Sequence, residues 1–322
     1  MFEEGWERRW AARSPDLADL QRRLTPWLGD RRITHLEHAE GGLANATSRV
    51  EVEGWGSFSV RLHTRDPASA DKEAALLGRM RELLPVPEIV FRVGDGETPI
   101  TVSRWLPGER LWEVFPGLDA TGCRELGRDC GEALATIGAR RFAESGFLDR
   151  DLQVETPLGP LREAFEAYCE GGMEAGAAEK LGPDLAAAIR RAFREQGDLV
   201  DSVDGDPRLV HGDFKGSNLL ASRRAGTWQL TGVLDWEFAF AGPALFDVGQ
   251  LTRWHRDLDP AFEEGFAEAF VAEGGLLPRH WQQVSALLDL VNLCGFLAND
   301  EETPIRDRAV VELVRGSRAL NP

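Results

Sequence analysis

His211-Gly212-Asp213-Phe214-Lys215-Gly216-Ser217-Asn218, followed by an apolar hairpin that ends in Leu234-Asp235-Trp236-Glu237, is the stretch from which this 322-residue chain is read. An Asp, an Asn five positions later and a second Asp after a short return strand are what in-line phosphoryl transfer needs, because that reaction asks the protein for positioning and charge neutralisation rather than covalent chemistry. In this reading Asp213 accepts the proton of an attacking hydroxyl, and Asn218 and Asp235 offer hard oxygens to Mg²⁺ bridging nucleotide phosphates. Leu219-Leu220-Ala221, a turn at Arg223-Arg224-Ala225-Gly226 and the run from Trp228 to Leu234 predict a two-stranded hairpin that returns Asp235 beside Asn218. A lone His-x-Asp is more often a turn with ordinary loop acids, so the weight rests on the ensemble.

His211-x-Asp213-x-Lys215-x-x-Asn218 has the form of the protein-kinase catalytic loop, and Asp235 stands where the Asp of Asp-Phe-Gly would stand. With Gly212 at the Arg position and Asp235-Trp236-Glu237 in place of Asp-Phe-Gly, the chain more closely resembles the aminoglycoside phosphotransferase family, the small-molecule branch of the kinase-like fold. The resemblance runs from the loop at Gly41 to the segment around Asp247. It implies an α+β, bilobal protein-kinase-like fold with a small β-rich nucleotide-binding lobe over residues 1–107 and a larger helical lobe over 108–322 that carries catalysis and the acceptor. It also implies Mg²⁺ with ATP as phosphoryl donor, while the sequence does not separate ATP from GTP.

Further residues take roles within that resemblance. Lys215 is one of three lysines, with Lys72 and Lys180, in a chain whose other basic residues are Arg; its point charge would screen the transferring phosphoryl group, against the plainer reading of a solvated loop lysine. Glu40-Gly41-Gly42-Leu43-Ala44-Asn45-Ala46-Thr47-Ser48 is a small-residue loop between strand-like segments. With Gly41, Gly42 and Asn45 it would lie over the phosphates, although such loops are usually plain hairpin turns.

In Phe58 to His63, alternation puts Phe58, Val60 and Leu62 on one face and Arg61 on the other. A helix from Ala70 to Leu84 carries Leu76, Leu77, Met80, Leu83 and Leu84 inward, and Glu73 shares that face. A carboxylate there needs a cation. Arg61 is the candidate, and the pair would reproduce the strand cation and helix Glu that hold nucleotide phosphates in kinases; the alternative for Glu73 is a first-turn acid complementing the helix dipole. Arg rather than Lys at this position suits the aminoglycoside phosphotransferase branch. By the same resemblance Trp105-Leu106-Pro107-Gly108-Glu109 is the hinge, where the Arg104 carbonyl and the Leu106 N–H would meet the adenine edge. Asp247 would anchor the catalytic loop from below or cap the following helix.

Strands are expected at Ile89 to Val93 and Ile100 to Trp105, and helices after Ser14-Pro15, over Arg124 to Arg141, Pro160 to Cys169, Pro183 to Glu195, Pro260 to Glu273, Pro278 to Asn299 and Pro304 to Leu320. Gly171-Gly172 and Gly197 to Pro207 read as turn-rich connections. Asn299-Asp300-Glu301-Glu302 is an acidic run that would meet substrate amines or, as such runs usually do, face solvent.

A hydrophobic content of 43% supports a full core, and a net charge of −17 argues against affinity for nucleic acid or anionic membrane while suiting a cationic acceptor. Cys123, Cys130, Cys169 and Cys294 show neither metal-ligand spacing nor a disulfide framework, and no run resembles a signal peptide or membrane helix. A cytoplasmic protein is expected, as monomer or homodimer, acting on a hydroxylated small molecule. Antibiotic phosphorylation, a metabolic kinase acting on a sugar, choline-like or amino-alcohol substrate, and a nucleotide-binding pseudokinase are the three readings, with intact Asp213, Asn218 and Asp235 against the last.

Overall fold

A computed structural model of the chain describes residues 15–38, 46–64, 66–67, 69–94, 98–253 and 258–297. The glycine loop with Gly41, Gly42 and Asn45, the acidic run at Asn299 to Glu302 and the helix expected from Pro304 to Leu320 lie outside them. Two short helices come first, α1 (Leu17–Arg23) and α2 (Thr25–Leu28). Asp16 caps α1 by accepting the Asp19 N–H at 2.7 Å, which satisfies one of the four N–H groups a helix start leaves open.

Five strands follow, β1 (Ile33–His38), β2 (Ala46–Val52), β3 (Gly56–Leu62), β4 (Ile89–Val93) and β5 (Ile100–Arg104), forming one antiparallel sheet in the order β1-β2-β3-β5-β4. The period-2 pattern works as expected: Phe58, Val60 and Leu62 are buried with Leu20, Leu24, Leu28, Val50 and Val102 in the smaller of two cores, and Arg61 points to the opposite face. Helix α3 (Ser69–Met80) crosses that opposite face and sends Leu76, Leu77 and Met80 into the larger core. It ends four residues before the expected Leu84, because Pro85 disfavours helical backbone just ahead of it; Leu83 and Leu84 turn back on the Met80 carbonyl instead.

Beyond the Trp105-Leu106-Pro107 segment come β6 (Glu109–Arg110), α4 (Leu111–Val114), α5 (Ala120–Ile137), β7 (Gly146–Leu148), β8 (Val154–Pro157), α6 (Leu161–Gly172), α7 (Ala178–Leu181) and α8 (Pro183–Asp201). The site-bearing elements β9 (Arg208–Val210), β10 (Leu219–Arg224), β11 (Thr227–Val233), β12 (Phe240–Gly242) and α9 (Leu245–Thr252) precede α10 (Ala261–Ala272) and α11 (Trp281–Leu297). The fold is α+β and kinase-like, an antiparallel sheet lobe followed by a helical lobe that carries two small sheets, β11-β10-β6 and β8-β7-β12-β9. α5 and α10 pack without side chains between them where Gly127 and Gly131 face the Phe262 and Phe266 carbonyls; a Cβ at either glycine would overlap backbone.

Two expectations fail for one reason. Gly171-Gly172 is no turn: α6 runs through Gly172 and continues by a wide helical turn, Met173–Ala177, into α7, with the kink at Gly176, whose φ is 124°. Gly197 does not end α8, which continues to Asp201, because the missing Cβ admits the Arg162 guanidinium that reaches Asp198 at 3.0 Å and Asp201 at 3.2 Å. In both places glycine serves close approach or a kink rather than a turn. All four cysteines are buried free thiols. Among the described residues no helix is long and apolar enough to cross a membrane.

Candidate active site

β9 is buried and pairs with β12, so the chain enters the catalytic loop from a rigid base. Asp247, in the first turn of the wholly buried α9, holds that loop from below: its carboxylate accepts the backbone N–H of His211 at 2.7 Å and of Gly212 at 2.9 Å. Burial pushes the Asp247 carboxyl up to about 7, against the opposing pull of those two N–H groups. The Gln250 amide donates to the Gly212 carbonyl at 2.8 Å, so one turn of α9 grips three polar groups of the loop. Asp247→Ala orphans two buried N–H groups and is expected to lower stability by about 2–4 kcal/mol, read by chemical unfolding; an unchanged midpoint would contradict the anchoring role.

Gly212 has φ of 81°, and a Cβ there would run into the Phe238 carbonyl. Gly212→Ala therefore combines left-handed strain with a clash and is expected to cost about 1–3 kcal/mol in thermal unfolding, with loss of turnover as the loop shifts. His211 is fully buried against Trp236, its Nδ1 accepts the Asp213 N–H at 3.2 Å, and burial holds its pKa near 4, so it is a neutral scaffold at pH 7.

Asp213 is clasped from both sides. The Asn218 amide donates to the Asp213 carbonyl at 2.9 Å and to its Oδ2 at 2.7 Å, and Lys215 Nζ lies 3.0 Å from its Oδ1. The hairpin does what its spacing predicts: β10 and β11 pair through a turn at Ala225-Gly226, both at positive φ, and the Leu234 N–H donates to the Asn218 carbonyl at 2.8 Å. Asp235 follows directly, and Trp236 is buried behind it with its indole N–H on the Val233 carbonyl at 3.0 Å. Asn218 thus bonds Asp213 through its side chain and Leu234, the residue before Asp235, through its backbone.

Arg61 meets Asp235 across the cleft. Its Nη2 donates to Asp235 Oδ1 at 2.7 Å and to Glu237 Oε1 at 3.1 Å, and its Nη1 donates to Glu73 Oε1 at 3.3 Å. The expected Arg61–Glu73 pair is present, but Arg61 serves three carboxylates instead of one. Burial opposes the charge on Arg61, and Asp235, Glu73 and Glu237 hold it on. The same burial raises Glu73, partly offset by Arg61, whereas for Asp235 the pull of Arg61 overcomes burial and keeps the carboxyl below its usual range. Glu237, 3% exposed, is the partner that sequence reading passed over; an acid two residues from Asp235 has no periodic signal that distinguishes it from a surface Glu.

Arg104 closes β5, its side chain exposed and paired with Glu88 at 2.8 Å, and Trp105 N–H makes the last tie to the sheet at Ser57, leaving the Leu106 peptide beyond the ladder. Among the described residues no cluster of three or more His, Cys, Asp or Glu could hold a metal ion. The oxygens on offer are instead Asn218 Oδ1, left outside the two bonds made by its amide nitrogen, and the Asp235 carboxylate. That donor set fits Mg²⁺, which takes few protein oxygens and completes its shell with phosphate and water.

A sequence profile of the phosphotransferase enzyme family matches residues 35–287. No curated protein matches the chain in sequence. Among solved structures the chain is similar to a thermostable mutant of aminoglycoside phosphotransferase APH(4)-Ia in ternary complex with AMP-PNP and hygromycin B, with a TM-score of 0.69 and 18% identity over 94% of this chain and 97% of that one. It is similar also to the GDP complex of wild-type aminoglycoside 2'-phosphotransferase-IIIa, with a TM-score of 0.74 and 15% identity over 95% and 99%. The GDP and kanamycin complex of APH(2")-IIia gives a TM-score of 0.72 and 17% identity over 94% and 99%. At these identities the structures speak for a shared fold, and the profile, which spans most of the chain and includes Arg61, Asp213, Asn218 and Asp235, speaks for descent: the chain belongs to the phosphotransferase enzyme family.

Proposed function

We propose that the protein transfers the γ-phosphoryl group of a nucleoside triphosphate, ATP or GTP, to a hydroxyl of a cationic small molecule of the aminoglycoside kind. The observation that carries this reading is that Asn218 ties together the segments of both acids, its side-chain amide on the Asp213 carboxylate and its backbone carbonyl on the N–H of Leu234, the residue before Asp235, which supports a base and two hard oxygens serving one site. The acceptor oxygen forms its bond to the γ-phosphorus as the bond to the β-bridging oxygen breaks, the nucleoside diphosphate leaves, and the acceptor proton passes to Asp213 Oδ. Lys215, 3.0 Å from that carboxylate, is placed to screen charge on the transferring group. Arg61, braced by Glu73, holds the phosphates, and the peptide from Arg104 to Leu106 meets the base, with residues 1–107 as the nucleotide-binding lobe and 108–322 as the lobe for catalysis and the acceptor. Gly41, Gly42 and Asn45, outside the described residues, are assigned to phosphate binding. Mg²⁺, held by Asn218 and Asp235, neutralises phosphate charge when bound.

A net charge of −17 favours a cationic acceptor, and two of the three solved structures named above are in complex with hygromycin B or kanamycin. The test is diphosphate release by purified protein with Mg·ATP or Mg·GTP across a panel of aminoglycosides, amino alcohols, choline-like compounds and sugars. Acceptor-dependent release with an aminoglycoside supports the proposal. Release only with a sugar or amino alcohol makes the protein a metabolic kinase, and nucleotide binding without release under any acceptor makes it a pseudokinase.

A further inference from the structure

Lys72 is set where two effects oppose a cation. It lies in the opening turn of α3, at the positive end of the helix dipole, and burial lowers its pKa. Its ammonium nevertheless crosses to the other lobe and donates to the backbone carbonyl of Ala239 at 3.1 Å. Glu73, the next residue, feels the same segment: the Trp236 peptide N–H draws its carboxyl down against the effect of burial.

The segment so held is the turn that follows Asp235. Ala239 N–H closes it on the Trp236 carbonyl at 3.2 Å, Asp235 leads into it at a φ of 66° that non-glycine residues seldom adopt, and β12 leaves it to pair with β9 at the root of the catalytic loop. Neighbouring side chains of α3 thus both act on the turn, Glu73 through the influence of the Trp236 N–H on its carboxylate and Lys72 by its bond to the Ala239 carbonyl. Among the described residues no other small-lobe side chain is hydrogen-bonded to Ala239. Without Lys72 the turn after the strained Asp235 peptide loses its tie to α3 at Ala239 and keeps only its own closure and the β12 pairing, so the Asp235 carboxylate is less firmly set against the pull of Arg61.

We propose that Lys72 is a positioning residue, a latch from α3 to the Trp236–Ala239 turn that keeps the Asp235 carboxylate aimed at the metal–phosphate space. This rests on the proposed role of Asp235 as a metal ligand. The latch also makes the placement of α3 and of Asp235 one event, since Glu73 and Lys72 cannot both keep their partners if the helix moves outward.

The experiment is calorimetric binding of ADP to the full chain, with and without Mg²⁺, for wild type, Lys72→Met and Lys72→Arg, alongside thermal unfolding of each. Lys72→Met keeps the apolar stem and removes the donor. It is expected to weaken Mg²⁺-dependent ADP binding by on the order of tenfold, the usual effect of losing a group that orients a metal ligand. Metal-free ADP binding should be unchanged, and Lys72→Arg should recover most of the loss. If Lys72→Met binds ADP with the wild-type dependence on Mg²⁺, or if it only lowers the unfolding temperature, the latch is wrong while the proposed function stands. If wild type itself shows no effect of Mg²⁺ on ADP binding, the role of Asp235 fails first and takes the latch with it.

Discussion

Asp213→Asn is expected to lower kcat by about a hundredfold to ten-thousandfold, the contribution of a positioned general base, while leaving Mg²⁺-dependent nucleotide affinity near wild type. The substitution keeps the volume and one acceptor oxygen, so the Asn218 amide can still be satisfied and the loop still hangs from Asp247. What disappears is the basic oxygen for the acceptor proton and the counter-charge of Lys215, whose Nζ sits 3.0 Å away in a nearly buried pair. Steady-state kinetics with a responsive acceptor, together with ADP calorimetry, separates the two effects. Turnover within a few-fold of wild type would remove Asp213 from the chemistry.

Asp235→Asn should fail differently. It deletes the only carboxylate proposed to touch Mg²⁺ and at the same time strips the negative charge from the shortest of the three bonds made by Arg61, at 2.7 Å. Loss of several kcal/mol of metal-supported charge stabilisation corresponds to about a thousandfold in kcat/KM. Unlike Asp213→Asn, this variant should also need far more Mg²⁺ for half-maximal nucleotide binding. Arg61 is expected to relax onto Glu73 and Glu237, at 3.3 and 3.1 Å in the wild type, so the protein should stay folded. A variant with normal Mg²⁺ dependence would show that Asp235 serves Arg61 and not the metal.

The contrast between these variants follows from the way the site is supported. Asp213 belongs to a loop suspended from α9 within the large lobe, so its removal is local. Asp235 belongs to a network that spans the cleft, with Arg61 on β3, Glu73 and Lys72 on α3 and Glu237 on its own turn. An exposed ion pair contributes little, but this cluster is largely withdrawn from water, and deleting one member leaves the others unbalanced.

Much of this was legible in the chain order of residues, and for definite reasons. The spacing of His211, Asp213, Asn218 and Asp235 is local, and a hairpin of fixed length returns its last residue to its first, so the pairing of β10 with β11 is set by turn chemistry at Ala225-Gly226. The alternation in β3 likewise decides that Arg61 leaves the core face, and the amphipathic stripe of α3 decides that Glu73 looks inward. The strands β7, β8 and β12 carry three or four residues each, too few for a period to register, and they exist because β9 and each other offer partners. Gly172 and Gly197 had the composition of turns and became helix, Gly197 because the distant Arg162 guanidinium needed the room.

Sequence alone determined the chemistry and the reach of each element, since side-chain type, turn geometry and periodicity act within a few residues. Tertiary structure alone decided who shares whom: that Arg61 divides itself among Glu73, Asp235 and Glu237, that Asp247 carries the loop by two N–H groups, and that Lys72 crosses to Ala239. Those partners lie 12 to 176 positions apart in the chain. No local rule links such positions, and only packing of the two cores brings their charges close enough to bond.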